Sequence, residues 1–537
     1  MERKRAPDLR ESVRCPQLKR PACELAASQK PGCLAYDQNS QPLARERSWI
    51  PGSLIRSGRG PGELRRGLAK AWRVIGVAIA ITGVLLPAVN AGTKATAAAD
   101  LGFRPVTYRG YSFQVPGSWR VIYLAHHRRT CVRFDMHRVY LGTPSRNQEC
   151  PSRIFGTTEA MLIEPAGRHA ARMSAWNPVA RQVTVITHRI RIMATFHTNR
   201  RQIDRILASA GLPRPIKDAP KIQLAPWLPV GATNFYGRGF DTCTAPSKSA
   251  MRTWRARSPY AAIGIYLGGS DAACLQPNLT PAWLRDEAAQ GWHFIPLYVG
   301  PQAAFGELSR KSSANQGIAA AVDAAQRAER LGFAPTTPIY YDMEGYLTGQ
   351  STRVLRFLSA WTTKLHALGY SSGVYSSSAS GIADLTRQYG RGVYALPDVI
   401  YDALWNGQAN IFDAVLSPGR WGNHHRLHQY AGNVTRTYGG VTINIDKDFM
   451  NVRLAVALRT YQTVVPGLLV HNAPQASAAM VDVLGVTGSR VAVNCYALGD
   501  SVSGDSVWYH LVAPHTGYAA GFYLSTGHDP AHGIPQC

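Results

Sequence analysis

The sequence predicts an α/β protein centred on a (β/α)8 barrel of the TIM type. An irregular second half is expected, with an N-terminal β-rich domain and a C-terminal small β-barrel on either side. Three observations predict this. Eight short strand-like runs fall between residues 236 and 455, with helix-like runs clearest between the early ones. The strands are read at Gly237–Asp241, Ala262–Gly268, His293–Gly300, Pro338–Asp342, Gly373–Ser376, Val399–Trp405, Arg426–Tyr430 and Thr442–Asp448. Two amphipathic helices, Gly317–Leu331 and Arg353–Leu368, are stopped by Gly332 and Gly369. Outside this segment, apolar and polar residues alternate with period two, as half-buried strands do.

Taken in order, residues 1–64 are rich in Pro, Gly, Arg and Ser without periodicity. They read as a disordered extension or as sequence upstream of the true start. Residues 65–99 read as an export signal. The basic cluster Arg65-Arg66-Gly67-Leu68-Ala69-Lys70 precedes an apolar run of about 16 residues, Val74 to Val89, and small residues end in Ala95-Thr96-Ala97-Ala98-Ala99. The paired arginines resemble a twin-arginine signal, with Gly67 in place of the usual large apolar residue. The alternative is a single membrane anchor, for which the run is short.

Residues 100–212 read as the basic β-rich domain. The runs 108–116 and 183–193 alternate as strands, and 202–210 closes as a helix. From 101 to 215 there are 18 Arg and 5 acids, a balance of +13 within a chain total of +26. This suits an anionic wall polymer; the competing reading is a solvated basic surface from codon bias. Residues 213–235 are a Pro-rich linker, 236–455 the barrel, 456–480 a second linker, and 481–537 a small all-β module. Cys15, Cys23 and Cys33 precede the signal. The six that follow, an even number that suits an exported, oxidised chain, are expected to pair locally as Cys131–Cys150, Cys243–Cys274 and Cys495–Cys537. No pair of long apolar runs exists, which excludes a polytopic membrane protein. Export argues against a nucleic-acid partner, and the membrane enters only through the export signal.

Reactive residues of such a barrel sit at the C-terminal ends of its strands. Acids recur there in a chain with only 33 of them: Asp241 ends the first strand, Asp342 and Glu344 end the fourth, and Asp446 lies on the eighth. Residues i and i+2 of a strand share a face, so Asp342 and Glu344 point into one pocket. Two close carboxyls resist joint ionisation, and one keeps its proton as a general acid. Tyr341, Tyr346, Trp405 and Tyr430 are candidate platforms for sugar rings. The competing reading makes the acids helix caps, salt-bridge partners or metal ligands.

The motifs Gly239-Phe240-Asp241-Thr242-Cys243, Tyr340-Tyr341-Asp342-Met343-Glu344-Gly345-Tyr346, Gly373-Val374-Tyr375-Ser376 and Ile445-Asp446-Lys447-Asp448-Phe449 resemble an actinobacterial glycoside-hydrolase-like barrel once catalogued as a domain of unknown function. That barrel is similar to the family 25 glycoside hydrolases, which are lysozyme-like. The resemblance covers roughly 235–455. It implies catalytic roles for Asp241, Asp342, Glu344 and Asp446, with Glu344 as general acid. It also implies the substrate's acetamido group as nucleophile, assisted by Asp342. The segments 491–495, 508–512 and 517–524 resemble a bacterial Src-homology-3-like domain, in which Trp508 and Tyr518 are either ligand contacts or core.

Two motifs lead elsewhere. Gly369-Tyr370-Ser371-Ser372-Gly373 matches G-x-S-x-G, but helix precedes strand, the reverse of a nucleophile elbow. His424, His425 and His428 have metal-ligand spacing only on a helix, and this stretch reads as a loop entering a strand. No cofactor and no metal are expected. The reading is a secreted or wall-associated enzyme cleaving a cell-wall glycan; the alternative is a non-catalytic wall-carbohydrate-binding protein.

Overall fold

A computed structural model describes residues 102–217, 225–229, 231–422, 424–455, 458–485, 487–513 and 516–537. The extension and export signal expected at 1–99 lie outside the described residues. Among the described residues, no helix is long and apolar enough to cross a membrane.

The centre is a closed eight-stranded barrel. Its strands are β1 (Phe235–Asp241), β2 (Ala262–Gly268), β3 (His293–Tyr298), β4 (Pro338–Asp342), β5 (Ser371–Ser377), β6 (Val399–Ala403), β7 (His425–Tyr438) and β8 (Val441–Val452). The first seven pair in parallel. β8 instead runs antiparallel to both β7 and β1, and so closes the barrel. The cause lies in the β7–β8 turn, where Gly439 and Gly440 both take positive φ (55° and 78°). A two-residue turn of that kind makes a hairpin and leaves no room for a crossover helix. Helices Lys248–Arg257, Pro281–Ala289, Ser313–Leu331 and Ser351–Ala367 follow the first four strands. After β5 there is only a π turn, Ser378–Ile382, and a six-residue helix, Ala383–Gln388. The irregular second half predicted from sequence is this loss of helices together with the reversed strand.

Strand parity divides the side chains. Ile263, Phe294, Ile339, Tyr341 and Val374 face the helices and pack with Trp254, Trp283 and Trp361. Ile295, Leu297, Tyr340, Tyr375, Tyr401, Leu427 and Met450 fill the interior. The interior apolar layers give way to carboxyls at the end where β1 to β6 terminate.

The N-terminal region holds a two-stranded hairpin (Phe103–Tyr108 with Tyr111–Pro116) and a seven-stranded sheet. The run 183–193, expected as one strand, is a hairpin of Gln182–Ile186 with Ile190–Thr195. At its turn the Thr187 hydroxyl accepts the amides of Arg189 and Ile190. The run 108–116 likewise breaks at Arg109-Gly110, both at positive φ. Alternation alone does not show such breaks, because the pattern carries through the turn. Helix Arg200–Ser209 buries Ile203, Ile206 and Leu207 and is capped by Asn199.

The C-terminal region is a curled six-stranded sheet. Strands Arg459–Gln462 and Leu468–His471 belong to it, so much of 456–480, expected as linker, is part of the sheet. Four-residue strands around Pro466-Gly467 are too short to show a period. All three expected disulfides are present. The first two stack against each other, with Cys131 Sγ 4.0 Å from Cys274 Sγ.

Candidate active site

The hairpin closure puts β8 beside β1 in a register that sets Asp446 directly opposite Asp241. Like charges facing across strands are destabilising, so this pair is a cost the fold carries. Asp342 ends β4, and Glu344 follows it on the same interior side. All four are buried, with 1 to 7% of their surface exposed. A fifth carboxyl, Asp448, lies one interior position along β8 and is fully buried.

Asp241 accepts from the Tyr266 hydroxyl (3.0 Å), the Tyr401 hydroxyl (3.0 Å) and the Gln429 amide (2.9 Å). Burial, then the charge of Asp446, still push it up to about 7. Gly264 makes the room, since a Cβ there would lie 2.4 Å from that of Asp241. Asp342 has no hydrogen-bond partner at Oδ1. Burial, then Glu344 and Asp241, push it well above the usual carboxylate range. Its backbone is fixed by Gln302, which donates to the Asp342 carbonyl (2.8 Å) and accepts from the Glu344 amide (3.0 Å). Burial raises Glu344 as well, opposed by the guanidinium of Arg153 at 3.4 Å. Burial raises Asp446, opposed by Ser152, whose hydroxyl donates at 2.7 Å, and by the Asn433 amide. Asn433 sits in an irregularity of β7 at φ 53°, which turns its N–H toward the acid. Burial, then Asp241, push Asp448 far up. Five such groups packed together resist joint ionisation.

The candidate platforms separate. Trp405 is 40% exposed at the rim. Its indole N–H donates to Gln429 (2.9 Å), and its ring lies on Gly432, where a Cβ would come within 2.0 Å. Tyr346 is half-buried and donates to Asp384 at 2.7 Å. Tyr341, expected as a platform, is instead fully buried on the helix side, against Phe357 and Trp361, with no face for a sugar. Strand parity is the reason, since it is the neighbour of inward-facing Asp342. Tyr430, also expected as a platform, is buried for the same reason, beside outward-facing neighbours and out of phase with inward-facing Gln429.

Sequence reasoning missed the inward tyrosines 266, 375 and 401, Gln429 and Asp448, all of which parity along the strands would have found. It also missed Ser152 and Arg153, for which there is no local signal. They come from the N-terminal region, about 190 and more residues from their partners. The serine of Gly369–Gly373 lies where β5 begins, at the opposite end of the barrel from the acids. The histidines are engaged elsewhere: His424 with Asn451, His425 with the Asp398 carbonyl, and His428 with the carbonyls of Asn410 and Leu404.

A second cluster brings together His197, Asp271 and Glu307 at ligand-like spacing. Arg181 already supplies its cation, at 2.6 Å from Glu307 and 3.0 Å from His197. Burial and the neighbouring Glu307 push Asp271 up to about 8, while Asp271 and Arg181 hold Glu307 low against burial. The cluster joins the N-terminal region to the barrel beside a cavity of about 520 Å³.

Comparison with known proteins places residues 252–450 in a match to the family described as "Rv2525c-like, glycoside hydrolase-like domain". This is less than half of the chain. No curated protein matches. Among solved structures, an uncharacterized B. stearothermophilus protein is similar at 19% identity, covering 40% of this chain and 95% of that one, with a TM-score of 0.31. The Mycobacterium tuberculosis Tat-secreted protein Rv2525c, solved with L-tartrate, is similar at 15% identity, 40% and 96% coverage, and a TM-score of 0.30. The catalytic domain of endolysin ply40 from bacteriophage P40 of Listeria monocytogenes is similar at 13% identity, 41% and 94% coverage, and a TM-score of 0.26.

Proposed function

We propose that the barrel hydrolyses a cell-wall glycan, peptidoglycan by preference, by carboxyl general acid catalysis. The observation that carries this is the group of five buried carboxyls at one mouth of the barrel, beside an exposed tryptophan. Such a cluster holds a proton for the leaving oxygen and negative charge for an oxocarbenium-like transition state. Asp342, Glu344, Asp241 and Asp446 are the proposed catalytic set, and Trp405 and Tyr346 the proposed sugar contacts. Glu344 donates the proton, and Asp342 assists the acetamido group of the substrate. The match to a glycoside hydrolase-like family supports the chemistry. The test is incubation of the chain from residue 100 onward with a panel of wall glycans. New reducing ends are expected, and their absence at every pH rejects the proposal.

The second reading, a wall-carbohydrate-binding protein without turnover, is favoured by one observation: Glu344 is occupied by Arg153. Binding without reducing ends would select it.

Location follows the same proposal: a secreted or wall-associated protein exported by the twin-arginine route, as the matched family's Rv2525c is described. Replacing Arg65 and Arg66 by Lys should then block secretion. The basic N-terminal region is proposed to hold anionic wall polymer, by contacts that weaken with salt. The C-terminal sheet is proposed to be a Src-homology-3-like wall-binding module, in which Tyr518 remains a candidate contact. Trp508 is core, 2% exposed with its N–H on the Asp500 carbonyl. Alanine at Tyr518 should weaken sedimentation with purified walls.

A further inference from the structure

The segment Cys150–Phe155 of the N-terminal region crosses the mouth of the barrel. One end is held by the Cys131–Cys150 disulfide, the other by the bridge of Phe155 to Ala272 and the Gly156 amide on the Asp271 carbonyl (2.8 Å). Between these anchors, Ser152 donates its amide to Asn444 (2.6 Å) and its hydroxyl to Asp446 (2.7 Å). Arg153 reaches Glu344 at 3.4 Å while its guanidinium lies over the Trp405 ring, 5.0 Å from the centroid. A planar cation thus takes at once the carboxyl and the aromatic face that a sugar ring would need. The Arg153 side chain is 40% exposed, whereas that of Glu344 is 10% exposed. The arginine is the part with solvent to move into. The region itself is docked independently of it, through Arg181 on Glu307 (2.6 Å), Asn177 on Asp323 (3.1 Å) and the Phe134 amide on the Ala273 carbonyl (2.8 Å).

We propose that Arg153 is a built-in mask of the barrel's acid site, an intramolecular competitor that a glycan must displace from Glu344 and Trp405 before it can bind. This rests on the hydrolase reading for its substrate but not for its geometry. An occupied site lowers apparent affinity by the fraction of time it stays open. Removing the mask therefore acts on KM and leaves kcat near its value. It also leaves Glu344 less favourably ionised and more accessible.

The test compares the chain from residue 100 onward with its Arg153→Ala and Arg153→Lys variants, in two measurements. The first is carbodiimide–glycinamide labelling of Glu344, read by peptide mapping, with the fully buried Asp448, on which the Arg153 charge does not act, as the internal control. The second is reducing-end release from a soluble peptidoglycan tetrasaccharide. For Arg153→Ala, labelling of Glu344 should rise about tenfold or more and KM fall by a similar factor, the scale of one lost charge-assisted hydrogen bond. Arg153→Lys should fall between, since it keeps charge without the planar face. Unchanged Glu344 labelling overturns the proposal. Faster labelling with a higher KM also overturns it, by making Arg153 a substrate contact. Faster labelling with no reducing ends from either protein keeps the mask and rejects the hydrolase.

Discussion

At Asp241, two tyrosine hydroxyls and an amide converge on a carboxyl that burial still drives up to about 7. The donors stabilise the ionised form, so removing one raises the value further. Tyr401→Phe should therefore move the pH dependence of any turnover that needs ionised Asp241 to higher pH. It should also cost about 1.5–3 kcal/mol of stability, as loss of a hydrogen bond to a charged group does. A pH–rate profile with denaturant unfolding measures both. The carboxyls ending the first and fourth strands and the one within the eighth were legible because acids are scarce in this chain and each stands in or beside a strand pattern. Tyr341 shows the limit of that reading. Its place next to Asp342 in sequence puts it on the opposite face, and only parity, applied strictly, separates rim from core.

At the scale of elements, the reversed β8 decides the site. Parallel closure would need a crossover over the β7–β8 connection, whereas Gly439-Gly440 permits only a hairpin. The resulting register brings Asp446 against Asp241. The sequence showed an irregular second half but not its direction, because period-two alternation is the same in parallel and antiparallel strands. The loops after β1 and β2 are joined by Cys243–Cys274, a pairing legible from their positions above neighbouring strands. It closes a loop of 31 residues. Replacing both cysteines by Ser should cost roughly 3–4 kcal/mol on loop-entropy grounds. Unfolding by guanidinium, compared with the parent chain, checks this.

At the scale of the molecule, buried carboxyls with raised values outnumber those held low. Asp241 near 7, Asp271 and Asp402 near 8 and 9, and Asp342, Asp446 and Asp448 all bind protons more tightly folded than unfolded. Their contribution to stability is present in full below the unfolded carboxylate value and is lost as pH rises through the folded values. Glu159, Glu307 and Asp413 act in the opposite sense. The thermal midpoint should thus rise as pH falls from 8 to 5, and a scan across that range tests the sign. What no local pattern contained was the docking of the N-terminal region on the barrel mouth. Ser152 and Arg153 meet their acids across 294 and 191 residues, a relation that belongs to tertiary packing alone.

We propose above that the acid cluster cleaves a wall glycan with Glu344 as proton donor. The most direct test is reducing-end release from peptidoglycan by the wild-type chain and by Glu344→Gln, with glycan binding measured alongside. The amide keeps shape and cannot donate the proton, so turnover should fall about 10²–10⁴-fold while binding persists. A Glu344→Gln chain that releases reducing ends at the wild-type rate would exclude Glu344 as the proton donor.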